Sequence, residues 1–184
     1  MICPEVVLAT TRASIIGVKT APEFVADLPI SVIAVRWGWR PAAAAALVAA
    51  LAAALGGAVT YAWAAADPGG AHQAIAFLPA IDEALVAATR ARLAAEGNAA
   101  MFWGSLSGVP YKLYALAAGS DGRPLIPFLL ATPLVRLPRF LFAAFGAAAL
   151  SAWLSRWLGL RARLALLAGF WLAFYGWYFM TMPG

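Results

Sequence analysis

The chain has 184 residues, 64% of them hydrophobic and 11% charged, with a mean hydropathy of +0.83. Soluble domains are roughly half apolar and about a quarter charged, and one core of this size cannot hide such an excess. The composition therefore predicts an all-α integral membrane protein, with residues 1–184 forming a single membrane domain. The net charge is +5, but the Arg residues flank apolar runs and form no stripe. That placement points away from nucleic acid and towards membrane lipids, whose anionic headgroups and positive-inside bias it fits. The single Cys3 and single His72 leave no internal disulfide and no zinc site of clustered Cys and His.

The first element, over 20–37, lies in APEFVADLPISVIAVRWGW, an apolar stretch with an acidic start at Glu23 and Asp27 and an interruption at Pro29. It is too short and too broken for a span and is expected to be re-entrant. Nothing before it forms a clean secretory signal, since Glu5 comes early and no basic region precedes an apolar one. The 41–66 stretch is uncharged between Arg40 and Asp67, long enough for the roughly 20 residues a crossing needs. Pro41 suits its first turn, and its Ala residues with Gly56 and Gly57 make a slim packing face.

A surface helix is expected over 79–96, with Pro79 at its first position and Asp82 and Glu83 at its positive end. Arg90 and Arg92 fall at its negative end, and Gly97 is its stop. Its apolar residues suit lipid, protein or a merely solvated connection. His72 is read as a residue of the loop before it. The 98–119 stretch holds only fifteen uncharged residues between Glu96 and Lys112 and is cut by Gly104, Gly108 and Pro110. It predicts a second re-entrant hairpin, because broken backbone at membrane depth survives only where protein buries it or a wet cavity lines it. GSLSG (104–108) is not a G-x-S-x-G nucleophile turn, since Leu106 holds the centre; it reads as a packing face.

The 124–155 stretch is an Arg-containing span. Arg136 and Arg139 share a helical face if the helix runs through Pro138, and are related more loosely if Pro138 begins it. Beyond Arg163, LALLAGFWLAFYGWYFM is charge-free and gives a C-terminal span over 163–181. About three spans and two re-entrant hairpins result. Arg36, Arg40, Arg156, Arg161 and Arg163 then fall on the cytoplasmic side, and the hairpins enter from opposite faces. Trp37, Trp39, Trp153, Trp157 and Trp177 lie near run ends, as an interfacial belt requires.

The segments SGVPYKLYALAAG (107–119) and PLIPFLLATPLVRLPRFLFAAFG (124–146) resemble the second half of the DedA family, also called the VTT or SNARE-associated Golgi protein family. The acidic-then-Pro element from Glu23 to Pro29, leading into a span with Gly56, Gly57 and Tyr61, is similar to its first half. The likeness covers about 20–160, and is closest to a bacterial branch with a Pro-Tyr-Lys loop in place of one containing Gly-Arg-Phe. It implies two opposed re-entrant loops, residence in the bacterial plasma (inner) membrane as a multi-pass protein, and movement of phosphate-bearing lipids such as undecaprenyl phosphate. It further implies coupling to the proton gradient.

By that resemblance Lys112, Arg136 and Arg139 are lipid-phosphate candidates, Glu23 and the weaker Asp27 proton-coupling candidates, and Pro29, Gly108 and Pro110 the loop breaks. An intramembrane cation demands a phosphate, a carboxylate or a wet cavity, and a guanidinium fork matches phosphate oxygens. The plainer readings are a snorkelling Lys112, topogenic Arg anchors and a solvated Glu23. No cofactor or metal is implied, and no cluster of His, Cys, Asp or Glu at depth suggests an enzyme. The competing function is a non-transporting scaffold or assembly factor, whose Ala/Gly faces bind a partner helix or a second copy.

Overall fold

The computed structural model describes residues 26–76 and 81–181, and within them the chain is all-helical. Eight helices come in order: α1 Asp27–Trp37, α2 Trp39–Ala66, α3 Pro68–Ala76, α4 Glu83–Glu96, α5 Ala99–Ser107, α6 Tyr111–Ser120, α7 Leu125–Leu154 and α8 Leu160–Thr181. Glu23 and Pro79 lie outside the described residues.

Two helices, α2 with 28 residues and α7 with 30, are long and apolar enough to cross a bilayer. At 1.5 Å per residue they extend about 42 and 45 Å. They run antiparallel. The start of α2 meets the second half of α7 through Trp39 and Phe145, whose rings lie 5.5 Å apart. Its end meets the start of α7 through Tyr61 and Phe128 at 6.1 Å, and the Tyr61 hydroxyl donates to the Arg123 carbonyl. The Ala face of α2 (Ala42, Ala46, Ala49, Ala50) is buried with Ile30, Ile33 and Ala34 of α1 and Phe140 and Ala144 of α7. The slim face is thus used within the chain.

Four buried hydroxyls are satisfied within their own helices. Ser31, Thr60, Thr89 and Thr132 each donate to the carbonyl four residues back. This is how a hydroxyl avoids an unmade hydrogen bond in dry surroundings.

The 98–119 stretch is a helix, a break and a second helix. Gly108 takes the left-handed conformation at φ +84°, and the Val109 N–H closes α5 on the Gly104 carbonyl at 3.0 Å. Pro110 then opens α6, where a missing N–H is harmless. The packing of α6 on α2 is close: a Cβ on Gly57 would overlap the Tyr111 ring.

Three local expectations change. The surface helix starts at Glu83, because the Asp82 carboxylate caps it by accepting from the Leu85 N–H at 2.7 Å. His72 sits in the short helix α3, not a loop, 3.3 Å from Glu83. Pro29 does not break the chain but occupies the first turn of α1, where its ring is tolerated.

Charge is sorted along the bundle. Ser151 donates to the Val35 carbonyl and accepts from Arg163, which draws the α1–α2 and α7–α8 junctions together. Arg36, Arg40, Arg156, Arg161 and Arg163 therefore collect at one end with Trp37, Trp39, Trp153 and Trp157 and no acid among the described residues. The other end mixes Asp67, Asp82, Glu83, Glu96 and Asp121 with Arg90, Arg92 and Arg123, and Arg90 pairs with Asp121.

Candidate functional site

The charges of the middle depth, among the described residues, are Asp27, Lys112, Arg136 and Arg139. Arg139 is the fifteenth of the thirty residues of α7, halfway along it. The helix passes unbroken through Pro133 and Pro138, so Arg136 and Arg139 are fixed three residues apart on one rod. Each proline removes one backbone donor, which an apolar helix tolerates when neighbours pack around it.

Arg139 forms an ion pair with Asp27 at the first residue of α1, and the two side chains are 10% and 4% exposed. The same guanidinium donates from Nη1 to the Ser105 carbonyl at 3.1 Å. Ser105 belongs to the last turn of α5, whose carbonyl end attracts a cation. One side chain of α7 therefore ties the start of α1 to the last turn of α5, just before the Gly108–Pro110 break.

Arg136 is buried one turn earlier. Its guanidinium carbon lies 5.0 Å from the Tyr111 ring centroid and 5.3 Å from that of Phe140. Tyr111 is itself held rigid, stacked on Phe128 at 5.8 Å and hydrogen-bonded to Thr132 Oγ1 at 2.6 Å. Because the Thr132 hydroxyl donates to the Phe128 carbonyl, Tyr111 is the donor of that bond. Lys112 comes next after Tyr111 in the first turn of α6 and is half-buried.

Of the residues singled out in the sequence, Asp27 and Arg139 are thus joined directly. Arg136 lies against the tip formed by Gly108, Val109, Pro110 and Tyr111. Sequence alone ranks Glu23 ahead of Asp27; Glu23 lies outside the described residues, and among the described carboxylates Asp27 meets Arg139. The Ser105 carbonyl and the Tyr111–Thr132 bond have no counterpart among the sequence candidates; the Tyr111 and Thr132 hydroxyls within apolar runs signal the second, and nothing in the side chains signals a backbone carbonyl.

No family model, curated protein or solved structure matches this chain. The chemistry of the site must be read from its own geometry. A buried carboxylate and guanidinium at mid-bundle repay their desolvation only through good geometry and further hydrogen bonds. Such a pair can exchange partners with an incoming phosphate, which a guanidinium accepts bidentately. Arg136, faced by two aromatic rings, adds a second cation next to the backbone break.

Proposed function

We propose that the chain is a multi-pass protein of the bacterial plasma membrane that moves a phosphate-bearing lipid between leaflets. The observation that carries this reading is the Asp27–Arg139–Ser105 junction, where the start of α1 and the last turn of α5, just before the Gly108–Pro110 break, share one buried guanidinium halfway along an apolar helix. Broken helices meeting around charge at mid-depth are what transport sites are made of.

The surface supports the setting. Only 39% and 22% of the most apolar stretches of α2 and α7 are buried, unlike core helices of a water-soluble protein. Leu47, Leu51, Leu55 and Val59 form an exposed stripe on α2, while Leu134 is 73% and Phe142 83% exposed on α7. Contiguous apolar surface of this extent calls for an apolar solvent. The all-Arg, Trp-lined end is the side that the positive-inside bias assigns to the cytoplasm.

In this mechanism Arg136 and Lys112 receive the phosphate beside the α5–α6 break, and Arg139 releases Asp27 to join them. Asp27, once released, takes up a proton, which couples lipid movement to the proton gradient. The scaffold alternative draws no support from the Ala face of α2, since α1 and α7 already cover it. Lipid movement in vesicles reconstituted with the purified chain, compared with Arg136→Gln and Lys112→Gln variants, tests the proposal.

A further inference from the structure

The helix α8 lies beyond the stretch that carries the family resemblance, and it packs on α1. Between it, α1 and α7 lies a groove of about 440 Å³. That volume is in the roughly 300–1,000 Å³ range of sites that hold small molecules. Its lining is apolar apart from Asp27, Ser31 and Arg139 at one level and Ser151 and Arg163 near the Arg-rich end.

Two donors in the groove wall have no hydrogen-bond acceptor among the described residues. Arg163 uses Nη1 on the Ser151 carbonyl and hydroxyl, at 3.1 and 2.7 Å, but its buried Nε has none. Trp171 is only 8% exposed, and its indole N–H is likewise unmatched. A buried donor without an acceptor is costly, so each marks a place for a ligand oxygen. The two residues stand eight apart on α8, about 12 Å along the helix.

We propose that this groove is a second lipid site, which seats one chain of an anionic glycerophospholipid. Its phosphate meets Arg163 at the Arg-rich end, and an ester oxygen deeper in the groove accepts from Trp171. The proposal rests on membrane residence but not on lipid movement. The second donor, deeper than the first, decides the class of lipid. A polyprenyl phosphate carries no oxygen below its phosphate and leaves Trp171 unsatisfied, whereas a glycerophospholipid has its ester groups there. The five Arg at this end supply the charge complement.

Gly146 gives a clean test, because it lines the groove and a Cβ there meets no atom within 4 Å. Gly146→Phe therefore starts from open space and places its ring in the groove, and Ala143→Phe, also in the wall, is a second plug; thermal unfolding of both confirms that the fold is kept. Gly169→Phe adds equal bulk to α8 in open space away from the groove and is the control.

The full chain, delipidated in detergent, is titrated with phosphatidylglycerol, with diacylglycerol of the same chains and with a polyprenyl phosphate, and bound lipid is counted by native mass spectrometry. One phosphatidylglycerol should bind saturably, about tenfold tighter than diacylglycerol, as a charge-assisted hydrogen bond is worth. Both plugs should weaken it by about tenfold or more while Gly169→Phe does not, and Arg163→Gln should erase the preference over diacylglycerol. Unchanged binding in both plugs, equal loss in the control, or polyprenyl phosphate binding as tightly as phosphatidylglycerol would overturn the proposal. A chain that passes these tests yet moves no lipid would instead count against the function proposed above.

Discussion

Arg139 and Asp27, 112 residues apart in sequence, form a buried ion pair between the middle of α7 and the first residue of α1. Arg139 also holds the last turn of α5 through the Ser105 carbonyl. The pair is therefore both a fastening and the polar centre of an otherwise apolar bundle.

Removing one partner leaves the other charged and buried. Asp27→Asn and Arg139→Gln should each destabilise the folded chain by about 3–5 kcal/mol. The double variant, which buries two neutral amides, should lose clearly less than the sum. Thermal unfolding in detergent, followed by intrinsic Trp fluorescence, reads this coupling; strictly additive losses would show that the two side chains do not interact.

The close approach of α6 to α2 rests on Gly57. Tyr111 cannot swing away from a new Cβ there without losing its bond to Thr132 and its stacking on Phe128. Gly57→Ala should therefore lower stability by about 1–3 kcal/mol, as overpacking does. Adding Tyr111→Ala should remove most of that further penalty, since the overlap is gone. A Gly57→Ala variant as stable as the parent would mean that α6 is loosely seated.

Much of this architecture is legible in the sequence because charge marks where apolar helices stop. The uncharged run 41–66 becomes α2 at 39–66, and the stretches 124–155 and 163–181 become α7 at 125–154 and α8 at 160–181. The Gly108–Pro110 break is likewise written locally, since only glycine takes the left-handed turn easily and proline suits the start of the next helix. Tertiary choices are not written that way. Whether α7 runs through Pro138 depends on neighbours packed around the proline, and nothing local says that Arg139 will choose Asp27. The groove needs α8 to rest on α1 while α7 stands off, a relationship between faces that periodicity does not encode.

On the proposed membrane topology, the sorting of charge predicts an orientation that labelling can read. In a Cys3→Ala background, Gly159→Cys marks the Arg-rich end and Gly69→Cys the mixed end; both sites are exposed. A membrane-impermeant maleimide applied outside intact bacteria should label Gly69→Cys and spare Gly159→Cys until the cells are opened. The reverse pattern would invert the assignment, and equal labelling of both in intact cells would contradict a spanning α7 between them.

Arg136 packs against Tyr111 and Phe140, so its neutralisation removes contacts as well as charge. Arg136→Lys keeps a cation but loses the planar fork. It should retain the fold within about 1–2 kcal/mol, the scale of a buried cation–π contact. Lipid movement should fall in the same variant, because an ammonium does not bind phosphate bidentately. Stability and movement that fall together in proportion would assign Arg136 to packing alone.

Lipid movement itself is the most direct measurement. Vesicles reconstituted with the purified chain and carrying either a fluorescent polyprenyl phosphate or a fluorescent phosphatidylglycerol report transfer between leaflets through quenching by an impermeant reductant. The chain should speed transfer of at least one of these lipids over protein-free vesicles, and Lys112→Gln and Arg136→Gln, reconstituted to the same level and folded, should abolish it. Transfer no faster than in protein-free vesicles, or transfer unchanged in both variants, would contradict lipid translocation by this site.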